Sequence, residues 1–88
     1  MKTSRQTSQF KKDVKRMQKR GKDFGEFKEV IEKLANEQKL APKYRDHLLV
    51  GEYKGTRECH IAPDWLLIYE IGENEIVLIR TGTHADLF

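Results

Sequence analysis

Three histidines, His47, His60 and His84, all fall in the C-terminal half of this 88-residue chain. Asp64 follows His60 across Pro63, Arg80 closes the last apolar run, and His84 comes four residues after Arg80. Histidine has an unperturbed pKa of about 6.5, so it takes or gives a proton near neutral pH. Two imidazoles and a guanidinium meet the needs of RNA cleavage without a metal. One imidazole removes the 2′-hydroxyl proton and another protonates the 5′-oxygen leaving group, while Arg80 neutralises charge building on the phosphorane oxygens. Trp65 and Phe88 lie near the same elements and can stack on bases splayed from a single strand. Taken singly, each histidine reads as an ordinary surface or core residue; the grouping is what points to chemistry.

Zinc binding is the rival reading of the same residues, with Cys59 or Asp64 completing a set of three histidines. The spacings match no compact ligand motif, and Cys59 and His60 point to opposite faces of a strand. No metal and no cofactor are therefore expected. Cys59 is the only cysteine. It allows no intrachain disulfide, suits a reducing compartment, and inside a strand reads as a small buried hydrophobe rather than a nucleophile. The sequence holds no glycine-rich phosphate loop, serine nucleophile motif or acidic pair at catalytic spacing.

Charge is divided unevenly along the chain. Residues 1–22 carry nine Lys or Arg against one acid, Asp13, whereas residues 23–88 carry eight basic and thirteen acidic residues. Lys11, Lys15 and Lys19 form one i, i+4 row, and Lys12, Arg16 and Arg20 form another. Like charges at that spacing repel, so the rows suit either a solvated face or contact with a polyanion's phosphates. The N-terminus Met1–Arg5 is polar, and the longest apolar stretches, Trp65–Ile68 and Ile76–Ile79, are too short to span a bilayer. A cytoplasmic protein without membrane partners is expected.

Apolar periodicity sets the elements that must position these residues. Phe10, Val14 and Met17 predict a helix over Ser8–Arg20, with Thr7 or Ser8 as N-cap and Gly21 at its end. Phe27, Val30, Ile31 and Leu34 predict a second helix over Phe24–Gln38, with Asp23 as a possible cap and the short link at 21–23 making a helical hairpin. Lys43–Gly55 reads as loop. The period then changes to two, which predicts strands at Thr56–Ile61, Trp65–Ile71 and Ile76–Thr81, turning at Pro63-Asp64 and Gly72–Asn74. Lys2–Thr7 is weakly strand-like. The fold class is α+β in a single domain over 1–88: a helical hairpin on a small, mostly antiparallel sheet ending in a three-stranded meander. Such a meander can gather His60, Asp64, Arg80 and His84, with the preceding loop delivering His47.

From Tyr44 onward the residues resemble a known family. The runs Tyr44–Gly51 (Tyr-Arg-Asp-His-Leu-Leu-Val-Gly), Arg57–Tyr69 and Leu78–Phe88, the last containing Arg-Thr-Gly-Thr-His-Ala-Asp-Leu-Phe, are similar to the YafQ-type toxins of bacterial type II toxin–antitoxin pairs, a histidine-rich branch of the RelE superfamily. The resemblance implies a RelE-like fold whose first strand is Lys2–Thr7. It also implies a ribosome-dependent mRNA endoribonuclease acting on codons in the 30S A site against 16S rRNA, restrained by a cognate antitoxin from an adjacent gene. Matching site residues are His47, His60, Asp64, Arg80, His84 and Phe88. By that resemblance His84 is the proton donor, His60 and His47 share base and phosphate-orienting work, Asp64 positions an imidazole and Arg80 binds the scissile phosphate. Trp65 matches as well, with a core role as its other reading. Lys11, Lys12, Lys15, Arg16 and Lys19 are the expected RNA-phosphate contacts. The alternative is a non-catalytic RNA- or DNA-binding module using the basic first helix.

Overall fold

A computed structural model describes residues 2–51 and 55–88. Strand β1 (Thr3–Gln6) leads through Thr7 into helix α1 (Ser8–Lys19). Thr7 binds on both sides of this joint: its Oγ1 accepts from Phe10 N at 3.0 Å and donates to Ile79 O at 2.8 Å. Of the two expected caps, Thr7 is the one used. At the other end Gly21 takes φ +75°, and the amides of Gly21 and Lys22 donate to Gln18 and Met17 carbonyls, closing the helix in a Schellman turn.

Helix α2 (Gly25–Ala35) is shorter than the periodicity predicts. Its end is also a Schellman turn, in which Glu37 and Gln38 donate to the Leu34 and Lys33 carbonyls. The left-handed position is held by Glu37 rather than glycine, so the sequence carries no stop signal there. Asp23 does not cap the first turn; its carboxylate accepts from Gly25 N at 2.9 Å and shapes the link.

The expected loop contains a 3-10 turn (Pro42–Tyr44) and a two-residue strand β2 (His47–Leu48); its residues 52–54 lie outside those described. The meander follows as β3 (Arg57–Ala62), β4 (Trp65–Ile71) and β5 (Glu75–Gly82), and the chain closes with a single helical turn, α3 (His84–Leu87). Strand order is β1-β5-β4-β3-β2, with β1 parallel to β5 and every other pairing antiparallel.

Side-chain alternation divides the sheet into two faces. Phe10, Met17, Phe27, Val30 and Leu34 of the helices cover Cys59, Ile61, Trp65, Leu67, Tyr69, Ile76 and Leu78. Burial pushes the Cys59 thiol up to about 12, which suits packing and not nucleophilic attack. On the other face Leu66 and Ile68 pack with Leu87 of α3, alongside Leu49 and Ile79. The double-sided apolar character of β4 thus has two separate covers, and the second brings α3 onto the sheet.

Candidate active site

His60 shares its sheet face with Glu58 two residues earlier, and β2 pairs His47 directly with Glu58. The Glu58 side chain is only 7% exposed, and its Oε1 lies 3.5 Å from His47 Nε2 and 3.4 Å from His60 Nε2. His47 is oriented from its other edge, where Nδ1 lies 2.6 Å from the Arg45 carbonyl oxygen. A carbonyl only accepts, so this nitrogen carries the hydrogen and Nε2 is the edge turned to Glu58.

α3 brings the third imidazole. The His60 and His84 ring centroids are 5.7 Å apart, and those of His47 and His60 6.3 Å. Asp64, in the turn between β3 and β4, accepts from His84 twice through Oδ1: from Nδ1 at 2.8 Å and from the backbone N–H at 3.0 Å. The backbone hydrogen bond, then the imidazole, holds the Asp64 carboxyl below its ordinary value. With Nδ1–H fixed on the carboxylate, Nε2 is the edge of His84 available for proton transfer. A cavity of about 610 Å³ opens beside His60 and His84, lined also by Lys43, Tyr44, Arg45 and Pro63. Two imidazoles, His60 and His84, therefore border a common space.

The sequence profile of bacterial toxins of type II toxin–antitoxin systems, YafQ, matches residues 2–88. The chain belongs to the YafQ toxin family. It is 45% identical over 83 residues to the mRNA interferase toxin YafQ of Escherichia coli K12, covering 93% of this chain and 90% of that one. Its structure superposes on a metal-bound toxin from Helicobacter pylori with a TM-score of 0.93 at 47% identity, covering both chains fully. Against the E. coli DinJ–YafQ complex the TM-score is 0.92 at 42% identity, covering 100% of this chain and 99% of that one. These likenesses agree with the α+β architecture expected from the resemblance, including its N-terminal strand.

Within the YafQ fold the structure gathers His47, His60, His84 and Asp64, and adds Glu58. Arg80 is anchored at the edge of β5: its Nε and Nη2 meet the Asp13 carboxylate at 2.8 and 3.2 Å, and Thr81 N meets the same group at 3.2 Å. β1 pairs with β5 only as far as Leu78, so the fully buried Asp13 of α1 takes over that edge beyond it. Phe88, which follows α3, is 64% exposed. Trp65 requires a correction. Its indole is 3% exposed, stacks on Phe27 at 5.2 Å, and donates Nε1–H to Thr81 Oγ1, so no face is left for a base. Trp65 is a core residue here.

The basic residues of the first helix fall into an exposed set and a paired set. Lys11, Lys12, Lys15 and Lys19 are exposed, with no ion pair among the described residues. Arg16 instead reaches Asp13 at 3.6 Å and Asp86 at 3.7 Å, and Arg20 grips Asp86 at 2.6 and 3.0 Å. Asp86 also completes a capping box with Thr83, accepting from its N–H at 3.0 Å. Two features lie outside the sequence expectations, Glu58 and the short helix α3. Glu58 was detectable as a carboxylate two positions before His60 in an apolar strand, and Thr83-His84-Ala85-Asp86 spells a capping box that announces α3. Among the described residues no three His, Cys, Asp or Glu side chains are arranged as a metal-holding group. No helix among them is long and apolar enough to cross a membrane.

Proposed function

We propose that this toxin is a ribosome-dependent mRNA endoribonuclease that cleaves A-site codons by metal-independent acid–base transesterification. The observation that carries the reading is the His84–Asp64 dyad set edge-on against His60, both imidazoles lining one cavity. His60, or His47 through it, takes the 2′-hydroxyl proton, and the 2′-oxygen attacks the adjacent phosphorus. The bond to the 5′-oxygen breaks as His84 Nε2–H gives that oxygen its proton, with the Asp64 charge supporting the imidazolium. The products are a 2′,3′-cyclic phosphate and a 5′-hydroxyl. Arg80, fixed by Asp13, offers positive charge to the phosphorane, and Phe88 a surface for a base.

The exposed lysines of α1 suit ribosomal RNA phosphates, since a domain of this size has little surface with which to grip and distort mRNA alone. Restraint by a cognate antitoxin fits the family and the E. coli complex with DinJ. An acidic segment that folds on binding would cover the basic and apolar surfaces. The site of action is the cytoplasm, where the ribosomes are.

Induced expression with mapping of mRNA ends tests the reading. Codon-positioned cuts ending in 2′,3′-cyclic phosphate, insensitive to EDTA at the cleavage step and lost in His84→Ala, are expected. Products carrying 5′-phosphates, or full toxicity of His84→Ala at matched expression, would overturn the acid–base scheme. Vigorous codon-positioned cleavage of naked mRNA would remove the ribosome from it. The EDTA arm matters because a Helicobacter pylori relative is metal-bound.

A further inference from the structure

Arg45 occupies left-handed backbone, φ 47° and ψ 44°, where a side chain is disfavoured and glycine is at ease. The conformation is imposed from both sides. Arg45 N donates to Pro42 O at 3.1 Å, and Arg45 O accepts from His47 Nδ1. The next residue, Asp46, is tied down by Tyr69 Oη at 2.6 Å and Arg57 Nε at 3.1 Å. The Arg45 side chain itself is exposed and makes no ion pair among the described residues. It lines the same cavity as His60 and His84, whereas neighbouring Lys43 is paired with Glu26 at 3.2 Å.

A glycine would satisfy every backbone demand at this position, so the guanidinium serves something outside the fold. We infer that Arg45 is a phosphate-binding residue of this site, holding an RNA phosphate that flanks the scissile one. The inference rests on the ribonuclease reading above. A planar guanidinium suits a phosphate's oxygens through paired N–H bonds. Its rigid attachment to the loop that also orients His47 sets the substrate's backbone in register with the imidazoles.

The test compares wild type, Arg45→Gly and Arg45→Lys on ribosomes programmed with a defined mRNA. Arg45→Gly should raise the half-saturating substrate concentration about tenfold while changing the saturated rate less, with a thermal midpoint equal to or above wild type. Its salt dependence should lose a slope of about 0.7, the contribution of one single-strand phosphate contact. Arg45→Lys should recover part of the loss. Half-saturation of Arg45→Gly within twofold of wild type would overturn the assignment, as would a fall in thermal midpoint matching the loss of activity. Unchanged cleavage with weakened antitoxin binding would also overturn it, in favour of a protein contact. A wild type that does not cleave at all refutes the ribonuclease reading instead.

Discussion

His84 presents two donors, its Nδ1–H and its own backbone N–H, to a single oxygen of Asp64 at 2.8 and 3.0 Å. The pair fixes both the tautomer and the start of the turn that carries the ring. Asp64→Ala should reduce cleavage by about 10²-fold on the scale of orienting carboxylates and general acids. Asp64 is largely exposed, so thermal stability should scarcely move. The carboxyl is held below its ordinary range, so its charge is present above that range and is lost only as pH falls through the lowered value. A single-turnover pH profile should therefore show no limb owed to Asp64 between pH 5 and 8, and Asp64→Ala should lower the rate throughout that range.

Glu58 lies within ion-pair distance of both His47 and His60 and is almost fully buried. Glu58→Gln preserves the shape and removes the charge that both imidazoles face. Cleavage should fall about tenfold or more, while binding to the antitoxin persists. A Glu58→Gln protein cleaving at the wild-type rate would make this carboxylate a packing feature only.

The meander was legible because alternating apolar residues and the turns at Pro63-Asp64 and Gly72–Asn74 agree about where strands begin and end. The α2 terminus was not, because Glu37 adopts a conformation its residue type does not advertise. β2 is two residues long, too short for any period to show, yet it places His47 against Glu58. Trp65 illustrates a different limit. Its neighbours in sequence include Asp64, which binds His84, but strand alternation turns the indole towards Phe24 and Phe27. Proximity along the chain gave the grouping of the histidines; only the register and the capping box gave their orientation.

The lysines of α1 are exposed, whereas Arg16 and Arg20 are paired with carboxylates, which makes the two sets separable by mutation. Lys11→Glu with Lys15→Glu and Lys19→Glu should weaken ribosome association and flatten its salt dependence, because phosphate contacts release counterions. The fold should survive, since none of the three has an ion pair among the described residues. Ribosome co-sedimentation at two salt concentrations checks this, and unchanged association would exclude that face from the interface.

Asp86 joins α1 to the turn that carries His84. The Arg20 guanidinium first, then the Thr83 N–H, holds its carboxyl well below the ordinary range. The contribution of the clamp is therefore complete above the usual carboxylate pKa of about 3.9 and is lost as pH falls through the lowered value. Asp86→Asn keeps an oxygen for the capping box and removes the charge that Arg20 grips. Between pH 5 and 8 the variant's thermal midpoint should lie below wild type by a constant difference, and the gap should narrow only in strong acid. The amides of Asp86, Leu87 and Phe88, which donate to the Thr83 and His84 carbonyls, should exchange hydrogen faster as α3 loosens. Since α3 aims His84, a looser turn should cost cleavage about tenfold. Unchanged exchange at these three amides would show that Leu87 packing against Leu66 and Ile68 holds the turn without help from Arg20.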